Sequence, residues 1–269
     1  MTNFTIDITS DPVCPWCYMG KIRLDRAISL YQKVYPGGRH DTFSIVWHAF
    51  YLEPDAPAGT PGIPWAERHA QKFGRGDGGD EARARHLREQ LAAKGRQHGI
   101  EFSFGGKIGS TRDAHRLIAL AGRREKERGG DAKDEAGMQD RVVMQLFRDF
   151  FEGEADITSR RMLAELGEKV GLGRREGLLA WLEGGEGGDE VDEEARWARE
   201  EGQMKGVPRF VVQGKHVIDG AQDEQAFMEA FVKVKEEGEG VEEQSSSSVA
   251  ALGDNPMAVD SCTPGGSCS

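Results

Sequence analysis

The sequence predicts an α/β protein in which a βαβ–ββα sheet domain is interrupted by an all-helical insertion. Three observations carry this reading. Apolar and β-branched residues dominate short strand-like runs only towards the two ends, over 4–8, 43–52, 208–212 and 216–218. Between Pro54 and Gly206 that signal nearly vanishes, and apolar residues recur at helical spacing. Each outer half also holds one amphipathic helix next to its strands. The predicted boundaries are 1–55 with 204–236 for a discontinuous sheet domain, 56–203 for the helical insertion, and 237–269 for an acidic, Ser-rich tail.

Taken in order, the first strand is Phe4-Thr5-Ile6-Asp7-Ile8. Asp11-Pro12-Val13-Cys14-Pro15-Trp16-Cys17-Tyr18-Met19-Gly20 follows, and then Leu24, Ala27, Ile28 and Tyr31 share one face of a helix. Cys14 should therefore stand in the turn at the start of that helix, where unpaired N–H groups and the helix dipole favour a thiolate. Cys17, three residues on, returns to the same side, within reach of a small disulfide ring. Pro15 suits the first helical turn, where its missing N–H costs nothing. Strand, Cys-Pro-Trp-Cys and helix in that order point to a redox dithiol. Two other readings stay open: a buried structural pair, and half of a zinc site completed by Cys262 and Cys268, whose spacing is loose for zinc.

Tyr35-Pro36-Gly37-Gly38 ends the helix, and the aromatic, β-branched run 43–52 completes a βαβ unit with a parallel strand pair. His48 reads as a strand residue with an ordinary partner. Within the insertion, helices are predicted over 64–73, 81–98, 110–128 and 138–151, then from a Thr158 cap to Val170, with shorter helices to about 203. The glycine-rich stretches 74–79 and 184–188 lack the Lys-Ser/Thr of a phosphate loop and read as flexible loops. Strand 208–212, a turn at Gly214 and strand 216–218 form a hairpin. A last helix over 223–235 offers Phe227, Ala230, Phe231 and Val234 to the core. The polar residues beyond it are predicted to be disordered. At their end, Cys262 and Cys268 are either incidental or exchange thiols for the active pair; about 25 residues of flexible chain span roughly 25–30 Å.

A formal net charge of −11 argues against nucleic acid or an anionic membrane as partner. No apolar run approaches bilayer length, and no basic segment precedes an apolar core at the N-terminus. A cytoplasmic protein is the expectation, and there a Cys-x-x-Cys pair is more often catalytic than structural. No metal and no bound cofactor is expected.

Four separated pieces resemble the DsbA-like thioredoxin-fold oxidoreductases, in particular their FrnE-like branch. They are Ser10-Asp11-Pro12-Val13-Cys14-Pro15-Trp16-Cys17, Thr111-Arg112-Asp113-Ala114-His115-Arg116-Leu117, Gly206-Val207-Pro208-Arg209-Phe210 and Ile218-Asp219-Gly220-Ala221-Gln222. The resemblance implies a thioredoxin fold with a helical insertion. It also implies a cis Val207–Pro208 peptide facing the cysteines, with Val207 backbone groups open to an extended substrate. His115, if it faced Cys14, would support the thiolate as a cation; the other reading is a packing histidine. Asp11 is either a proton acceptor near the dithiol or the organiser of a turn.

The expected activity is thiol–disulfide exchange on protein or peptide disulfides, in the reductase or isomerase direction. Cys14, the more exposed thiol, attacks and Cys17 resolves. Glutathione, as co-substrate, or a thioredoxin-type partner would recycle the pair. More distant relatives, the 2-hydroxychromene-2-carboxylate isomerases and kappa-class glutathione transferases, usually carry Ser where Cys14 stands. A glutathione-dependent isomerase or transferase is therefore the second reading, and a non-catalytic chaperone-like binding module the third.

Overall fold

A computed structural model describes residues 1–73, 81–129 and 137–250. The chain divides into two compact units, Met1–Phe231 and Val232–Ser269. The first holds a four-stranded mixed sheet in the order β2-β1-β5-β6. Its central strand β1 (Asn3–Ser10) lies parallel to β2 (Thr42–Ala49), with Ile6 opposite Ile45 and Ile8 opposite Trp47. On its other side β1 runs antiparallel to β5 (Arg209–Val212), which pairs in turn with β6 (His216–Asp219). Between paired Val212 and His216, Gln213 and Gly214 both have positive φ, 56° and 65°, and the Lys215 N–H donates to the Val212 carbonyl at 3.2 Å to close the turn.

Helix α1 (Pro15–Val34) crosses from β1 to β2, as a parallel pair requires. It buries Cys17, Tyr18, Leu24, Ala27 and Tyr31. Phe4, Tyr31, Phe43 and Phe231 meet ring to ring at 4.8 to 5.9 Å, which ties β1, α1, β2 and the last helix together. Full burial of one such ring contributes about 1.5–3 kcal/mol. Lys21 is also buried on α1, held by Asp25 at 2.6 Å and Asp140 at 3.1 Å. The Trp47 indole N–H donates to the same Asp140 carboxyl.

The insertion consists of α2 (Trp65–Phe73), α3 (Glu81–Gln97), α4 (Arg112–Glu127), α5 (Met138–Phe151), α6 (Arg160–Lys169), α7 (Arg175–Gly184) and α8 (Gly188–Glu200). Two short strands, β3 (Ile63–Pro64) and β4 (Lys107–Ile108), pair within it and have no sequence signal of their own. The cap of α6 is Ser159, whose Oγ accepts the Met162 N–H, and not Thr158. Thr158 is drawn away, donating to Asp156 and accepting from the Gly62 N–H. Residues 184–188 form a tight turn between α7 and α8 with left-handed Gly185 and Gly187. The glycines at 74–79 lie outside the described residues.

The final helix α9 (Glu224–Ala250) continues past the predicted end at 235, so the segment expected to be disordered from 237 is helical as far as Ala250. No helix among the described residues is long and apolar enough to cross a membrane.

Candidate active site

Strand β1 ends at Ser10 and α1 begins at Pro15, so the intervening turn carries the site. Asp11 organises it. Its carbonyl accepts the Cys14 N–H at 2.9 Å, and its Oδ1 accepts the Val13 N–H at 3.3 Å. Cys14 is the N-cap residue of α1, with extended φ/ψ of −91° and 111° and no side-chain capping bond, so its sulfur is left for other contacts. Its carbonyl accepts the Cys17 and Tyr18 N–H groups and so starts the helix. Pro15 stands at the first helical position. Trp16 points outwards, 41% exposed, with the Lys94 ammonium 4.9 Å from its ring centre.

The Val207–Pro208 peptide is cis, and the Cys14 Sγ lies 3.6 Å from the Val207 carbonyl oxygen. Pro208 is buried, and its own carbonyl accepts the Gly220 N–H at 2.8 Å. The loop before β5 and the turn after β6 are thereby fixed to each other beside the dithiol. Both cysteines are unbridged thiols, and both are buried, Cys14 to 3% and Cys17 to 1%. The expected contrast between an open Cys14 and a covered Cys17 is therefore small, because the Val207 carbonyl lies against Cys14. Burial pushes the Cys17 thiol pKa up, and the adjacent Cys14 sulfur adds to the rise. The Ser10 hydroxyl and the Asp11 backbone N–H act the other way. That hydroxyl is buried and makes no other hydrogen bond, so it is directed to stabilising a Cys17 thiolate.

Behind this turn the Asp11 carboxyl is sealed off at 1% exposure. Its Oδ2 accepts the Leu52 N–H at 2.8 Å, and the Thr111 hydroxyl also reaches it. Burial outweighs these bonds and lifts its pKa to about 7. The hydrogen bonds show Asp11 ordering the turn, and its carboxyl titrates near neutral pH. His115, also buried, donates from Nε2 to the Phe50 carbonyl at 3.2 Å and stands 3.9 Å from Asp11 Oδ1. Burial lowers its pKa to about 4. That direction disfavours the cationic form and agrees with the packing-histidine reading. Beyond Ala49 the Phe50 N–H still donates to the Ser10 carbonyl at the end of β1, while the Phe50 carbonyl and the Leu52 N–H are taken by His115 and Asp11, and β2 ends there.

Phe50, Leu52, Thr111 and Ser10 had not been singled out as site residues. Three of them contribute through backbone position or a lone hydroxyl, which residue type does not announce. Arg116, in the segment that carried part of the resemblance, is fully buried and donates to the carbonyls of Trp181, Leu182 and Glu186. It closes the C-terminal end of α7. His48 lies between Asp7 at 2.8 Å and Glu194 at 2.7 Å. Cys262 and Cys268 lie outside the described residues.

A family model described as a DSBA-like thioredoxin domain matches residues 5–232. No curated protein matches the chain by sequence. Among solved structures, the probable DsbA oxidoreductase of Streptomyces coelicolor superposes with a TM-score of 0.67 at 24% identity, covering 98% of this chain and 97% of that one. A 2-hydroxychromene-2-carboxylate isomerase gives a TM-score of 0.54 at 15% identity, over 90% of this chain and 98% of its own. At these identities the likeness is one of fold.

Proposed function

The chain belongs to the DSBA-like thioredoxin domain family, within the thiol–disulfide oxidoreductase superfamily, and on that premise we propose that it exchanges disulfides with protein substrates through Cys14 and Cys17. The observation that carries this is the position of Cys14: helix N-cap, its sulfur uncommitted to capping and 3.6 Å from the Val207 carbonyl beside a cis proline. An extended substrate pairing with Val207 backbone groups would bring its disulfide to that sulfur.

The Cys14 thiolate attacks one substrate sulfur, forming a mixed disulfide and expelling the other sulfur as a thiolate. Cys17 gives its proton to the Asp11 carboxylate and attacks the Cys14 sulfur, with the developing charge met by the Ser10 hydroxyl and the Asp11 N–H. The second substrate thiolate leaves, and the two substrate thiolates take up two protons, balancing the one lost by Cys14 when it ionised and the one passed from Cys17 through Asp11. The substrate is reduced to two thiols and the enzyme is oxidised to a Cys14–Cys17 disulfide, which two glutathione molecules or a thioredoxin-type partner would reduce again.

The reductase or isomerase direction follows if the protein works in cytosol. A pair near −120 mV, as in the periplasmic oxidant of this superfamily, facing a cytosolic poise near −280 mV, is held reduced by about five orders of magnitude. The test is a pair of variants. Cys14→Ser removes exchange, whereas Cys17→Ser accumulates mixed disulfides with substrate that are visible by mass after alkylation. Full turnover without Cys17 on a small glutathione-dependent substrate would replace this reading with isomerase or transferase chemistry.

A further inference from the structure

The seam between α1 and α3 holds a cluster that the exchange chemistry does not use. Arg23 and Arg26 stand on α1, and His98 follows the last turn of α3. His98 is fixed in place: its N–H and that of Ile100 both donate to the Gly95 carbonyl, at 2.8 and 3.0 Å, and Gly99 takes the left-handed conformation at φ +78°. Nothing larger fits at Gly95, where a Cβ would stand 2.4 Å from the Phe102 ring.

Both nitrogens of this imidazole face guanidinium groups. Arg23 approaches Nε2 with its Nε at 3.3 Å and its Nη2 at 3.0 Å, while Arg26 Nη1 lies 3.2 Å from Nδ1. A guanidinium only donates, and a neutral imidazole has one acceptor nitrogen. With Nε2 accepting from Arg23, Nδ1 carries the hydrogen and points it at an N–H of Arg26. A protonated ring would meet two cations, and the proximity of Arg23 and Arg26 indeed adds to burial in lowering the His98 pKa. Arg23 is held where it is by the carbonyls of Ala221 and Gln222, and Arg26 has Glu224 at 3.7 Å. Glu224 offsets part of this charge and acts to raise the His98 pKa, but at 3.7 Å it is beyond hydrogen-bond distance, so the Nδ1 hydrogen and the Arg26 hydrogen facing it have no acceptor between them.

We propose that Arg23, Arg26 and His98 form an anion-binding notch that takes a carboxylate of the disulfide substrate. The anion site rests on this geometry alone; the substrate assignment rests on the oxidoreductase reading above. A carboxylate between Arg26 Nη1 and His98 Nδ1 accepts from both and removes the opposed hydrogens, with its charge met by Arg23. Two oxygens in one plane suit these two donors better than the tetrahedral oxygens of a phosphate.

The seam also leads to the dithiol. Lys94, one turn before His98 on α3, covers the exposed Trp16 ring between the two cysteines. Arg26 is twelve residues beyond Cys14 on the same chain segment, about 18 Å along the helix axis. An extended peptide advances roughly 3.3 Å per residue, so the recognised Asp or Glu lies about five positions from the substrate cysteine.

The test begins with sodium acetate and inorganic phosphate as probes, following the His98 ring resonances of the full chain by NMR across pH. Acetate is expected to move those resonances and to raise the ring pKa, with a response roughly five- to tenfold weaker in Arg26→Gln. No response to acetate, or an equal response in the variant, overturns the notch. A response to phosphate but not to acetate overturns the carboxylate assignment in favour of free phosphate. A second measurement compares two disulfide peptides differing by Glu or Gln about five residues from the cysteine. The wild type should favour Glu by roughly five- to tenfold in kcat/KM, and Arg26→Gln should lose that preference. Equal rates in the wild type overturn the substrate assignment. Turnover of neither peptide would count against the oxidoreductase reading, and the acetate titration would still decide the notch.

Discussion

The Asp11 carboxyl and the His115 imidazole lie 3.9 Å apart, both sealed from solvent, and each is driven towards its uncharged form. An opposed acid and base at that distance would ordinarily form an ion pair. Here burial dominates for both groups and outweighs the hydrogen bonds to Phe50 and Leu52, which act the other way. The result is a carboxyl that titrates near pH 7 in the turn that carries Cys14, which is the property the proposed exchange asks of a proton acceptor.

The first prediction concerns that proton. Asp11→Asn should slow Cys17 attack on the mixed disulfide by roughly ten- to a hundredfold at pH 7, while leaving formation of the mixed disulfide less affected. Stopped-flow kinetics of the two steps separates them. The wild-type resolution rate should show an inflection near pH 7 that Asp11→Asn lacks; an unchanged profile would remove Asp11 from the mechanism.

The pair also fixes a pH signature in stability. Asp11 rises from 3.8 to about 7 on folding, so the folded state holds a proton that the unfolded state has lost, and stability falls as pH rises through that window. His115 falls from 6.5 to about 4, so its contribution is present above 6.5 and is lost as pH drops towards 4. Between about pH 4 and 6.5 the two slopes oppose each other. Denaturant midpoints of the wild type should therefore be nearly flat there as far as this pair is concerned. Asp11→Asn should instead gain stability with rising pH over that range, and His115→Gln should lose it.

Gly20→Ala tests how closely α1 approaches the proline loop. The added Cβ would stand 3.0 Å from Phe210 Cζ and 3.3 Å from Pro208 Cγ, both in well-buried surroundings. Overpacking of about 1–3 kcal/mol is expected in chemical denaturation. Disulfide exchange should slow more than this stability loss explains, because the shifted loop carries Val207.

Breaking the α1–α5 ion pair should cost more. Asp140→Ala leaves the Lys21 ammonium with only half-exposed Asp25 and leaves the Trp47 indole N–H unpaired. Removing one partner of a buried pair typically destabilises by about 3–5 kcal/mol, whereas replacing Lys21 and Asp140 together by Met and Leu should recover much of that loss. Urea unfolding of both variants measures the difference, and a double variant no better than the single one would contradict the account.

Much of the sheet half of this molecule could be read from residue order. Ile6 and Ile8 alternate because one face of β1 is buried, Pro208 and Gly214 bracket the hairpin, and Cys14 follows a strand and precedes a helix, which places it at an N-terminus. These are consequences of local geometry, with periods of two and 3.6 residues and the special dihedrals of Gly and Pro. The cap of α6 shows the limit of such reading: Thr158 and Ser159 are equally good caps by type, and a bond to Gly62, 96 residues away in sequence, decides between them.

The charge states of the site lie wholly beyond that limit. Asp11 could be recognised as part of a turn, yet its elevated pKa comes from burial, which outweighs the opposing hydrogen bonds from Leu52 and Thr111 on other elements. His115 carries the same imidazole whether it is a cation at a surface or neutral in a core, and only its burial drives it towards the neutral form. The orphan hydroxyl of Ser10 and the opposed guanidinium groups at His98 are likewise products of the assembled fold. Residue type fixes which groups can titrate or donate; desolvation and the distances to groups far away in sequence fix what they do, and these exist only once the chain has folded.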